Sequence, residues 1–124
     1  MTSNAKKIIL VIEDNEKLQK AIFKRLTLEK FTVQACATAE QAIDYLKKNT
    51  PGLIWLDLLL PGMNGLEFLN WLRKSEKKNI PVIVVSNSGG PGKVAEAFNL
   101  NVADYLVKTN YRLEDIIANI KKRI

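Results

Sequence analysis

Asp57 closes the apolar run Leu53-Ile54-Trp55-Leu56 and opens the stretch Leu58-Leu59-Leu60-Pro61-Gly62-Met63-Asn64-Gly65. A run of that length bounded by Pro and Gly reads as a buried strand feeding a turn. A carboxylate at the mouth of a buried strand is costly to keep charged unless a cation meets it. A second acidic group, Glu13-Asp14, ends the equally apolar run Ile8-Ile9-Leu10-Val11-Ile12. Two strands that release carboxylates at their C-terminal ends define one shared acidic pocket. Hard oxygen donors of this kind suit Mg²⁺, which keeps several waters of its own. The candidate metal ligands are Glu13, Asp14 and Asp57, with the backbone carbonyl of Leu59 as a further donor. Lys108, after Tyr105-Leu106-Val107, can neutralise an anion arriving beside the metal. Ser86, after Pro81-Val82-Ile83-Val84-Val85, offers that anion a hydroxyl donor. Metal, ammonium and hydroxyl together suit a phosphoryl group in transfer, whose charge spreads over its equatorial oxygens. Asp57 is the candidate nucleophile, forming an acyl phosphate, because it is the lone acid on its strand. Glu13 and Asp14 come as a pair, which suits metal holding.

The elements that must carry these groups alternate. Strand patterns fall at Ile8–Ile12, Phe31–Ala35, Leu53–Leu56, Pro81–Ser86 and Tyr105–Val107. Between them lie helical patterns. Glu16–Glu29 puts Leu18, Ala21, Ile22 and Leu26 on one face. Thr38-Ala39-Glu40-Gln41 opens a second helix as a capping box, with Ala39, Ala42, Ile43 and Leu46 inward. Asn64-Gly65-Leu66-Glu67 caps a third, running to about Ser75, with Leu66, Leu69 and Leu72 inward and Phe68 and Trp71 flanking. A short helix is expected over Lys93–Phe98, after the loop Ser88-Gly89-Gly90-Pro91-Gly92. A last helix buries Leu113, Ile116, Ile117, Ile120 and Ile124. Near-continuous apolar strands separated by helices imply a parallel sheet covered on both faces. In open sheets of this type the functional crevice lies at the carboxyl ends of the strands. Glu13, Asp14, Asp57, Ser86 and Lys108 all fall there.

The 124 residues suit one domain with one core, and 47% apolar with 26% charged residues argues against disorder. No apolar stretch approaches a membrane span, and the N-terminus lacks the parts of a signal peptide. The single cysteine, Cys36, excludes an internal disulfide and fits a reducing cytoplasm. The absence of histidine removes His-based triads and His zinc sites, but not phosphoryl transfer from a histidine on another protein. The formal net charge of +6 comes from scattered basic clusters without interleaved aromatics, so no direct nucleic-acid contact and no membrane contact are expected. Gly89-Gly90-Pro91-Gly92-Lys93 lacks the spacing of a nucleotide-phosphate loop.

The chain resembles a response-regulator receiver domain, the phosphoacceptor module of two-component signalling. The resemblance rests on Val11-Ile12-Glu13-Asp14-Asn15, on Asp57 through Gly65, on Pro81 through Ser86 and on Asp104-Tyr105-Leu106-Val107-Lys108. It covers essentially all of residues 1–124 as a single receiver domain. It implies a flavodoxin-like, doubly wound five-stranded parallel sheet in the order 2-1-3-4-5, with helices on both faces. It implies that Asp57 accepts phosphate from a histidine kinase or a histidine phosphotransfer protein. Mg²⁺ is then held by Glu13, Asp14, Asp57 and the Leu59 carbonyl. By the same resemblance Ser86 fills the switch hydroxyl position and Tyr105 the aromatic switch position. Their movement alters the surface of the fourth helix, fifth strand and fifth helix, which meets a downstream protein target. The expected state is a cytoplasmic monomer or a weak phosphorylation-dependent dimer.

Two positions depart from the family pattern around the site. Thr109 stands where proline usually follows the lysine, and a cis bond before a non-proline residue costs roughly 2.5–4 kcal/mol. A trans bond or a rearranged loop is therefore expected, with a possible shift of the lysine. Asn87 replaces a small residue after the switch hydroxyl. The glycine-rich loop before the fourth helix further suggests a mobile or partly unwound helix. The alternative to a switch is a pseudo-receiver that keeps the fold as a protein-interaction module without phosphorylation. No turnover of an external metabolite is expected, only self-phosphorylation and autodephosphorylation. A Mg²⁺-dependent phosphohydrolase would need a second aspartate two residues after the nucleophile, where Leu59 stands.

Overall fold

The computed structural model describes residues 7–87 and 90–124. Five strands form one parallel sheet: β1 (Ile8–Ile12), β2 (Thr32–Cys36), β3 (Leu53–Leu56), β4 (Val82–Ser86) and β5 (Asp104–Val107), in the order β2-β1-β3-β4-β5. The helices are α1 (Glu16–Leu28), α2 (Ala39–Leu46), α3 (Gly65–Lys74), α4 (Pro91–Asn99) and α5 (Leu113–Arg123). Every residue of β3 and β4 is buried, as central parallel strands require. One sheet face packs Leu10, Ile12, Ile54, Leu56, Val82 and Val84 under α2, α3 and α4. The other packs Ile9, Val11, Trp55, Ile83 and Val85 under α1 and α5. This is the flavodoxin-like fold and strand order expected from the sequence.

Local signals start most of the helices. The Asn15 side chain accepts the Leu18 N–H at 3.0 Å to open α1, and Lys30, at φ 74°, turns the chain toward β2. In α2 the Thr38 hydroxyl accepts from Gln41 at 3.1 Å, but the Gln41 side chain reaches back to the Ala37 N–H at 2.8 Å, one residue before the cap. In α3 the box is complete: Asn64 Oδ1 accepts the Glu67 N–H, and Glu67 Oε1 accepts the Asn64 N–H, both at 2.9 Å.

The inner face of α3 is rotated from expectation. Gly65, Phe68, Leu69 and Leu72 are buried, while Leu66 is only partly so. Gly65 sets that rotation. A Cβ there would lie 2.5 Å from the Asp57 carbonyl oxygen and 2.5 Å from Leu58 Cα, so the helix starts flush against the end of β3. Positions 65, 68, 69 and 72 follow as one stripe.

The fourth helix is longer than the pattern suggested. It is regular over Pro91–Asn99, with Pro91 in its first turn and Ala97 buried. Proline in the first turn loses no needed N–H, which explains the earlier start. Residues 88 and 89 of the expected loop lie outside the described residues. Asn101, at φ 61°, turns the chain into β5.

Candidate functional site

Glu13, Asp57, Ser86 and Lys108 each leave or follow a strand at the same sheet edge, and the register fixes their neighbourhood. Ile12 pairs with Leu56, Leu56 with Val84, and Ser86 with Val107. Asp57, Ser86 and Lys108 therefore sit within one or two residues of the same level on adjacent strands. Asp57 donates its N–H to the Ile12 carbonyl at 3.0 Å, and Glu13 donates to Cys36 at 3.0 Å, which extends both ladders to the acids themselves.

Lys108 joins the carboxylates. Its Nζ donates to Glu13 Oε1 at 2.8 Å and to Asp57 Oδ2 at 3.1 Å. The lysine side chain is 16% exposed, that of Glu13 1% and that of Asp57 6%. The other oxygen of each acid is held locally. Glu13 Oε2 accepts the Asn15 N–H at 3.0 Å, and Asp57 Oδ1 accepts the Leu59 N–H at 3.1 Å. Gln19 adds a bond from its Nε2 to the Glu13 carbonyl at 2.8 Å. The Lys108–Thr109 bond is trans, and the chain passes into a short 3₁₀ turn, Lys108–Asn110. The lysine nevertheless reaches both acids, so Thr109 does not displace it.

The electrostatics follow from burial. Desolvation pushes Glu13 above the ordinary carboxylate value, helped by repulsion from Asp57 and opposed by hydrogen bonds from Lys108 and Asn15. Burial works against the charge on Lys108, but Glu13 and Asp57 outweigh it and hold the lysine above its ordinary value. Tyr105 is pushed up by burial and by the nearby Asp57 charge.

Asp14 differs from its neighbour in being exposed, on the solvent side of the cluster. Glu13, Asp14 and Asp57 can each bring one carboxylate oxygen within 4.8 Å of the others. Three hard oxygens at that spacing fit a small dication with waters completing its shell. Leu59 is half exposed, at 53%. Ser86 is fully buried at the end of β4. Ser86 follows the parity of Val82 and Val84, and Tyr105 packs on the same core, so both face the α2–α4 side. Asn87 is exposed. The structure thus brings Glu13, Asp14, Asp57 and Lys108 together and places Ser86 at the same sheet edge. One supporting group, Gln19, carried no sequence signal for this role, since it acts through the backbone carbonyl of Glu13.

Residues 9–121 match the response regulator receiver domain family, and the chain belongs to that family. Among curated relatives, it is 28% identical over 113 residues to the "Uncharacterized transcriptional regulatory protein YkoG" of Bacillus subtilis, covering 91% of this chain and 49% of that protein. The chain spans about half the length of the curated relatives it matches. Among solved structures, a response regulator receiver protein from Pseudomonas putida superposes with a TM-score of 0.87 at 27% identity, covering 93% of this chain and 95% of that one. The non-phosphorylated HemR receiver domain from Leptospira biflexa gives 0.86 at 27% identity, covering 93% and 91%.

Proposed function

We propose that residues 1–124 form a single receiver domain acting as a phosphoacceptor switch, with Asp57 as the acceptor. The Lys108 bridge between Glu13 and Asp57 carries this reading, because it sets a partly buried cation on the acid that would be phosphorylated. The donor is a phosphohistidine on a histidine kinase or phosphotransfer protein. An Asp57 carboxylate oxygen attacks phosphorus, a P–O bond forms, the P–N bond breaks, and the imidazole leaves with a proton from solvent. Lys108 then stays against the new anion and Ser86 donates its hydroxyl to a phosphoryl oxygen. Glu13, Asp14, Asp57 and the Leu59 carbonyl would hold Mg²⁺. When bound, the ion neutralises charge on the phosphoryl oxygens.

Ser86 and Tyr105 serve as the switch pair, and their common position on the α4 side supports a signal read from the α4-β5-α5 surface by a downstream protein. New charge-assisted bonds at Ser86 bias that surface. The chain is proposed to work in the cytoplasm as a monomer or weak phosphorylation-dependent dimer, without nucleic-acid or membrane contact of its own. Among the described residues no helix is long and apolar enough to cross a membrane. Its chemistry is confined to its own phosphorylation and dephosphorylation.

The test is a titration of Mg²⁺, then beryllofluoride, followed by Trp55 fluorescence. Trp55 is buried two residues from Asp57. A saturable beryllofluoride response that Asp57→Ala abolishes is expected. Metal binding without any beryllofluoride response would instead establish a pseudo-receiver.

A further inference from the structure

The loop between β3 and α3 is fastened at both ends. Leu59 N–H bonds Asp57 Oδ1 at 3.1 Å, and Gly65 N–H bonds the Leu58 carbonyl at 2.9 Å. Its middle is held from outside. Glu40, in the first turn of α2, accepts the Met63 N–H on Oε2 at 3.1 Å across 23 residues of sequence. The loop's start is held at Asp57 by Lys108 and its end at Asn64 by Glu67 of α3, so Glu40 is the side chain that reaches its middle. The same carboxylate fills the space beneath Gly62, whose φ is +69° and where a Cβ would lie 2.9 Å from Glu40 Oε2. An exposed carboxylate at the first turn of a helix is already favoured there by the helix dipole. Its second task is in the loop.

We propose that Glu40 is a positioning residue for the metal site, holding the Gly62–Met63 turn so that the loop presents the Leu59 carbonyl already ordered. This rests on the receiver reading above. A flexible loop must lose conformational freedom when its carbonyl binds an ion, and a loop ordered in advance loses less. Partners that orient a ligand from behind typically change metal affinity by about 10–100-fold when removed.

The experiment compares the full chain with Glu40→Ala, Glu40→Gln and Gly62→Ala. Mg²⁺ affinity is read by Trp55 fluorescence, and amide exchange of Met63 is read by NMR in metal-free protein. Glu40→Ala should weaken Mg²⁺ binding about tenfold and speed Met63 exchange, with at most a small drop in melting temperature from the lost helix-dipole contact. Glu40→Gln, whose amide oxygen still accepts the N–H, should restore most of both. Gly62→Ala should weaken Mg²⁺ in the same direction, and by less when Glu40→Ala has removed the crowding carboxylate. Unaltered Mg²⁺ affinity in Glu40→Ala, or equal losses in the Ala and Gln variants, would overturn the proposal while leaving the receiver reading intact. A wild-type chain that binds no Mg²⁺ would defeat both.

Discussion

The two ends of the proposed switch are built differently. At the acceptor, Glu13, Asp57 and Lys108 sit on strand ends, are nearly buried, and bond to one another and to adjacent backbone. At the expected output, α4 starts at Pro91 after Gly90, which gives no side-chain cap, and neither Gly90 nor Gly92 has a heavy atom within 4 Å of a notional Cβ. Its far end is held firmly. Arg73 of α3 donates Nε to the Leu100 carbonyl at 2.7 Å and Nη2 to Asn101 at 3.1 Å, just past α4. Its Nη1 donates to the carbonyls of Lys78 and Ile80, both at 2.8 Å. Burial lowers the Arg73 pKa, and the four carbonyls keep the guanidinium satisfied without a carboxylate. The contrast separates a paired, nearly buried edge from a helix whose start lacks a side-chain cap. Phosphoryl chemistry needs fixed groups, whereas a signalling helix needs one end that can move about an anchored other.

This contrast can be broken at several points. The largest effect is expected for Lys108→Met, which leaves two buried acids without their cation and should cost about 3–5 kcal/mol in urea denaturation at neutral pH. Added Mg²⁺ should return part of it, and a loss below ~1 kcal/mol would mean that the acceptor edge is not rigidly paired. Arg73→Met should cost about 2–3 kcal/mol. Its signature is faster amide exchange at Leu100 to Val102, with β1 and β3 unaffected.

Smaller changes sharpen the comparison. Gly92→Ala should stabilise α4 by about 0.5–1 kcal/mol, because the site is open and alanine is the better helix former. If α4 moves from its N-terminal end, that variant also weakens the conformational response to beryllofluoride. A response of wild-type size would place the motion elsewhere.

The last test is pH. Glu13 titrates above the ordinary 4.5, so the folded chain binds this proton more tightly than the unfolded chain. Its contribution to stability is therefore present below pH 4.5 and lost as pH rises through the folded value. Carbonyl-carbon NMR of Glu13 should show the raised midpoint, moving higher still in Lys108→Met. A midpoint at or below the ordinary value would contradict the burial of this acid.

Much of this was legible because it is local. Apolar runs of four or five residues ended by acids, Asn64 three residues before Glu67, and the final isoleucine stripe each state their element within a few positions. The strand order and the switch roles came with the family resemblance, whereas the candidate metal ligands followed from the acids at the strand ends. The rotation of α3 was not legible, because it depends on Gly65 touching the backbone of Asp57 and Leu58. The ordered start of α4 at Pro91 was missed for a related reason. Its weak local pattern is supplemented by Ala97 in the core and by Arg73 beyond its end.

The sequence by itself determined that four of five strands would deliver acids, a hydroxyl and a lysine to one sheet edge, since side-chain period and strand ends are properties of the chain. Tertiary structure alone decided that Lys108 bridges Glu13 and Asp57 across 95 and 51 residues. It alone decided that Asp14 stays in solvent, and that Glu40 and Arg73 take backbone partners far along the chain. Those choices are set by distances between elements after packing, and no spacing within the sequence encodes them.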